Sequence, residues 1–136
     1  MKRYFLFLGI VISTLTSCSI DDDAESFHLE VLPINSVEMP EEFVFGGTYE
    51  VFMDYTRPTG CHVFNDFLYQ INGQERTVGI LNTVYTDYIC EDNPETVTVS
   101  FQFNVTSQET YIFKFYQGVS EENIDQYLII EIPVVE

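Results

Sequence analysis

The chain has 136 residues and carries 22 acidic side chains against five basic ones, a formal net charge of −17. Nucleic acid is effectively excluded as a partner, because neutralising phosphates takes Lys and Arg, and the five here are outweighed by the acidic residues. The length fits one domain of ordinary size around one core. Trp is absent while Phe and Tyr are abundant, so any stacking surface has to come from those two residues.

Lys2 and Arg3 open the chain with positive charge, and Tyr4 to Leu15 is an apolar stretch of 12 residues. A helix needs about 20 apolar residues to span a bilayer, so this run is too short to span and suits a signal peptide. Leu15-Thr16-Ser17-Cys18 closes it. That motif resembles the lipobox of bacterial lipoproteins, in which two small residues precede a cysteine that is lipidated and becomes the new N-terminus. The resemblance implies that residues 1–17 are a lipoprotein signal peptide and that Cys18 is the lipid attachment site. It also implies a diacylglycerol plus an amide-linked acyl chain. At about 0.8 kcal/mol per buried CH₂, release of such an anchor is negligible.

Asp21, Asp22, Asp23 and Glu25 follow closely. They repel one another and offer nothing apolar to bury, so residues 18–26 read as the lipidated Cys and an acidic tether. An acidic run at this place also resembles the surface-export signal of lipoproteins from Bacteroidota-type bacteria. It implies residence in the cell outer membrane, lipid-anchored and surface-exposed. Removing residues 1–17 leaves three basic residues against all 22 acidic ones, a charge of −19. Anionic headgroups would repel such a domain, so membrane attachment rests on the lipid at Cys18.

Residues 27–136 read as strands throughout. Phe27, Leu29 and Val31 alternate with His28 and Glu30, the mark of a half-buried strand. Pro33 and Pro40 suit edge positions, where a missing N–H is tolerated. Phe43 to Phe45 runs into the Gly46-Gly47 turn. Tyr49, Val51 and Met53 alternate with Glu50, Phe52 and Asp54, and Arg57 to Gly60 ends that strand. Val63 to Ile71 precedes Asn72-Gly73, a hairpin signal that predicts a type I′ turn with a return strand from Arg76 to Leu81. From Thr96 to Val105 apolar and polar residues alternate without a break. Tyr111, Phe113 and Phe115 do the same, and Tyr127 to Val134 is the last strand. Ser120–Asp125 offers a single helical turn, with Ser120 and Asn123 as caps. About seven short strands separated by turns predict an all-β sandwich.

With Cys18 assigned to lipid, Cys61 and Cys90 remain, and an even pair in an exported chain predicts a disulfide. A zinc site from Cys61, His62 and Cys90 lacks a fourth ligand and the usual close spacings, so no metal is expected there. The predicted hairpin places Cys61 opposite Val84, six residues short of Cys90. Six extended residues cover about 20 Å, whereas a bridge needs Cα atoms within about 7 Å. Either the segment Asn82–Ile89 folds back or the bridge does not form; the fold-back is the expectation.

No catalytic constellation emerges. Nucleophile-elbow, zinc-protease, phosphate-loop and CxxC motifs are all missing from the sequence, so no enzyme activity, catalytic residue or cofactor is expected. His62 reads as a strand-start residue beside the cystine. The acidic loops Glu91–Glu95 and Ser120–Asp125 are candidates for Ca²⁺, though neither matches a calcium loop. Phe52, Phe64, Phe67, Tyr69, Tyr85, Tyr88, Tyr116 and Tyr127 cannot all face one core, and they could serve a glycan or protein partner.

The stretch Tyr111-Ile112-Phe113-Lys114-Phe115-Tyr116-Gln117-Gly118, with Asp125 to Leu128 and Ile132-Pro133-Val134, resembles the end of small surface lipoproteins of Bacteroidota-type bacteria. The segment Gly46 to Val51 and the Cys61/Cys90 pair are similar too. The resemblance implies an Ig-like antiparallel β-sandwich and supplies no catalytic residues. The expectation is a binding or accessory module of the cell envelope; the alternative is a structural envelope protein without a discrete ligand.

Overall fold

A computed structural model describes residues 25–136 of the chain. The signal peptide, Cys18 and the tether as far as residue 24 lie outside the described residues. Ten strands follow in chain order: β1 (Phe27–Leu32), β2 (Ile34–Glu38), β3 (Phe43–Val44), β4 (Thr48–Arg57), β5 (His62–Asn72), β6 (Glu75–Tyr85), β7 (Glu95–Asn104), β8 (Tyr111–Val119), β9 (Asp125–Ile132) and β10 (Val134–Val135). They form an all-β sandwich. One sheet is built around β6, which pairs with β5 along one edge and with β8 and β1 in succession along the other; β9 pairs outside β8. The second sheet has the order β2-β4-β7, and β3 pairs with β10.

The strand segments outnumber the expected seven, and prolines account for much of the difference. Pro33 divides β1 from β2 and lets one stretch of chain pass from the first sheet to the second. Pro133 divides β9 from β10, and its carbonyl still accepts the Phe43 N–H at 2.9 Å. The pairing is also not purely antiparallel: β6/β8 and β3/β10 are parallel. β1 occupies the β6 edge from Ile80 to Tyr85, so β8 pairs only with Glu75–Val78.

Alternation explains which faces meet. Val51, Met53 and Tyr55 of β4 turn inward with Phe103 of β7, against Val78 and Ile80 of β6 and Phe113 and Phe115 of β8. Phe43 lies 5.4 Å from Phe103 in a tilted contact and 6.2 Å from Phe113 edge-on, by ring centroids, joining the two sheets through aromatic rings. The polar face of β7 looks at water, where Thr98 donates to Asp54 at 2.6 Å and Ser100 to Glu50 at 2.7 Å. Those cross-strand bonds give acidic side chains on this face neutral hydroxyl partners.

Three local expectations change. The hairpin turn is centred one residue later than the sequence signal, with Asn72 paired to Glu75 and Gly73-Gln74 as the loop. Gly73 alone takes a positive φ, of 61°, the pattern of a type II′ turn. Gln74 fixes this register: its amide donates to Ser107 Oγ at 3.0 Å and Glu109 O at 3.1 Å, while its own carbonyl accepts from Ile112 N. The return strand also runs on to Tyr85, so Asn82 and Thr83 are strand residues and the fold-back begins only at Thr86. Finally, Ser120–Asp125 is not helical. Asn123, at φ 62°, makes a tight turn whose N–H bonds Ser120 O at 2.9 Å.

Tyr111 carries a feature the strand pattern does not announce. Its hydroxyl accepts from the backbone N–H groups of Thr106 and Ser107 at 3.1 and 2.9 Å. A tyrosine at the start of a strand, bonded to backbone four and five residues upstream, has the form of the tyrosine corner of Ig-like sandwiches.

Candidate functional site

The cystine is formed. Cys61 and Cys90 are bridged with Cα atoms 5.5 Å apart, inside the range that a disulfide accepts. A bulge at Asn65 shifts the hairpin register, so His62 faces Val84 and Tyr85 N donates to Cys61 O. The fold-back then returns Glu91, whose carbonyl accepts from Gly60 N at 3.2 Å. The last tether residues dock here as well. Thr86 N donates to Ser26 O at 2.9 Å, and the Tyr88 hydroxyl donates to Glu25 at 2.7 Å. That hydroxyl–carboxylate bond holds the Tyr88 phenol above its usual range.

His62 is buried beneath this corner. Its Nδ1 lies 2.8 Å from Thr59 Oγ1 and its Nε2 3.2 Å from Glu30 Oε2. The hydroxyl–imidazole–carboxylate order is that of a triad, but Thr59 Oγ1 also accepts the Cys61 N–H, as a turn residue does. Neither the cleft nor the groove described below is lined by any of the three. The arrangement holds the start of β5 to β1.

The cleft with chemical character lies on the open flank between the free edges of β5 and β7. It has a volume of about 400 Å³ and is walled by Phe67, Tyr69 and Ile71 on one side and Phe101 on the other. Gln102, Asn104 and Thr106 supply polar groups, and Asp66 stands at the rim with its Oδ1 accepting from Phe67 N at 2.8 Å. β5 makes one wall because it extends past the core as an edge strand, leaving Ile71 65% exposed. The rings of Phe67 and Tyr69 meet Phe101 edge-on at 5.3 and 5.8 Å.

Arg76 lines the same cleft and is only 8% exposed. One guanidinium nitrogen donates to Gly73 O at 2.6 Å and Glu75 O at 3.0 Å, and the group lies over the Tyr111 ring at 5.2 Å. Burial pushes the Tyr69 phenol up, with the Arg76 charge pulling against it. Arg57, by contrast, is paired with Glu95. Among the described residues Arg76 has no carboxylate within 4.0 Å, despite the acidity of the chain.

A second, shallower groove lies on the outer face of the β6 sheet. Gly79 is its floor, Val31 and Leu68 stand on either side, and Tyr116 and Tyr127 close one end. Phe27, Leu29 and Ile129 are also more than half exposed, and β1 and β9 register places all three on this face.

The eight aromatics singled out by sequence thus fall into groups. Phe67 and Tyr69 make the flank cleft, with Phe64 packed beside Phe67. Tyr85, Tyr116 and Tyr127 lie on the outer face of the β6 sheet, Phe52 on the outer face of the other, and Tyr88 in the cystine loop. The acidic loops do not converge on a cation: among the described residues no three metal-ligating side chains come together. Arg76 carries no local signal of a site residue, since only the pairing of distant strands brings it and Phe101 to one cleft. No family model, curated protein or solved structure matches the chain.

Proposed function

We propose that this protein is a lipid-anchored lipoprotein of the cell envelope, held at the outer membrane and surface-exposed, whose β-sandwich acts as a binding or accessory module. The anchor rests on Cys18 and the lipobox resemblance, and the acidic run behind it supports export. The binding reading rests on the flank cleft, where apolar walls flank a buried cation that has no acidic partner among the described residues. Ligand sites are commonly concave and mostly apolar, with a few convergent polar groups. The resemblance to surface lipoproteins of Bacteroidota-type bacteria points the same way.

Metabolic labelling with a palmitate analogue tests the anchor. The wild type should take label and Cys18→Ala should not; equal labelling of both overturns it. A fragment screen read by protein-detected NMR tests the module. Hits should cluster on Phe67–Arg76 and Phe101–Thr106. Fragments that bind nowhere would favour a structural envelope protein without a ligand.

A further inference from the structure

We infer that the flank cleft takes a small planar aromatic carboxylate, its carboxylate on Arg76 and its ring among Tyr69, Ile71 and Phe101. This rests on the binding-module reading and adds the ligand class. A guanidinium removed from water asks for charge-assisted partners, and a carboxylate meets its fork with two parallel hydrogen bonds. Here the fork spends one nitrogen on two turn carbonyls and its face on Tyr111, and among the described residues no side-chain carboxylate lies within 4.0 Å of it. The chain supplies 22 acidic residues, so a purely structural arginine had many counter-charges to draw on. Asp66 is the one acidic residue lining the cleft, and it stays at the rim bonded to backbone.

The walls define the rest of the ligand. Phe67, Tyr69 and Phe101 line the space, the first two packed edge-on against Phe101, and this aromatic lining suits a flat ring. The volume of about 400 Å³ is at the small end of ligand sites, which favours one or two rings over a polymer. Gln102, Asn104 and Thr106 can hydrogen-bond polar ring substituents.

The test uses benzoate, benzyl alcohol and acetate, titrated into the full chain in detergent micelles and followed by amide NMR shifts. Benzoate should saturate with a Kd of about 1 mM or tighter, with shifts confined to Tyr69–Arg76 and Phe101–Thr106. Benzyl alcohol should bind roughly ten-fold more weakly, since it has the ring without the charge. Acetate, with the charge and no ring, should also lose roughly ten-fold. Arg76→Gln should bring benzoate down to the level of the alcohol, and Arg76→Lys should keep part of the difference. Because Arg76 also holds the hairpin turn, Ile71→Asp serves as a second variant: it leaves those bonds in place and should repel benzoate far more than benzyl alcohol. Equal affinity for benzoate and the alcohol in the wild type would refute the assignment, as would benzoate shifts mapping to the groove over Gly79. If benzoate fails while uncharged fragments still enter the cleft, the ligand class falls and the binding module stands. If every probe leaves the cleft empty, both fall.

Discussion

Removing the Cys61–Cys90 bridge should cost the fold about 3.6 kcal/mol. The two residues are 29 apart in sequence, and releasing a loop of that size frees an entropy of about 12 cal/mol/K in the unfolded chain. The native side adds little. The fold-back is held by Gly60 N to Glu91 O, Thr86 N to Ser26 O and the Tyr88–Glu25 bond, and Ile89 at its tip is fully exposed. No core side chain sits in the segment after Tyr85, so the sandwich should stay assembled when the bridge opens. Unfolding entropy is about 2.1 cal/mol/K per residue, which for a domain of about 110 residues turns 3.6 kcal/mol into a fall in Tm of about 15 °C. Thermal melts of the wild type with and without reductant, beside the Cys61→Ala/Cys90→Ala pair, measure this directly. Near-ultraviolet circular dichroism at room temperature checks that the aromatic core is unchanged. A fall in Tm under about 5 °C would refute the entropic reasoning. Loss of the aromatic signal on reduction would refute the claim that the loop is peripheral.

Tyr111→Phe strips the acceptor from the Thr106 and Ser107 N–H groups in the loop before β8 and should cost about 2 kcal/mol in chemical denaturation; a loss below about 0.5 kcal/mol would mean that water serves them equally well. Asn82 is fully buried, its Oδ1 accepting from the Tyr55 hydroxyl at 3.2 Å while its Nδ2 has no partner among the described residues. Tyr55→Phe and Asn82→Leu should each destabilise by about 1–3 kcal/mol, and the double variant should regain most of that, because no polar atom is then left unpaired; additive losses would contradict the pairing. Burial holds the Tyr55 phenol above its ordinary range, against the weaker opposing pulls of Asn82 and Arg57. A raised pKa favours the neutral phenol in the fold, so this contribution is intact below pH 10 and is lost as pH rises through the folded value. Ultraviolet difference titration should show a late component that disappears in Tyr55→Phe; ionisation of Tyr55 together with the exposed tyrosines would count against it.

Sequence patterning revealed strands best where both faces have one neighbour each. β7 has water on one side and the core on the other, so its alternation is unbroken and reads directly. β6 fails that test beyond Leu81, because Asn82 faces inward to meet Tyr55 and Thr83 faces outward to meet Asn65 at 2.9 Å. Polar residues with buried partners look like loop residues when the partners are 18 and 27 positions away. The hairpin register departs from its local signal for a related reason: Gln74 is held by Ser107 and Glu109, distant in sequence. The fold-back was legible as one of two outcomes, since the arithmetic of strand length left either a fold-back or no bridge, and the bridge is formed. The cleft was not. It exists because two edge strands far apart in sequence, β5 and β7, face each other across an open flank, and because Arg76 follows a turn one residue displaced from its sequence signal.

The crossing of the chain at Pro33 has a mechanical consequence. β1 runs antiparallel to β6, with Phe27 opposite Tyr85, while the hairpin tip and the cleft stand at the Glu75 end. Eleven strand residues separate those ends, roughly 35 Å at the usual rise. A force drawn between the N-terminal side of Phe27 and an object gripped in the cleft therefore pulls β1 lengthwise along β6. All six rungs of that ladder are strained at once, and β2, continuing past Pro33 into the other sheet, shares the load. The arrangement resists sliding where a strand peeled from its end would give way one bond at a time.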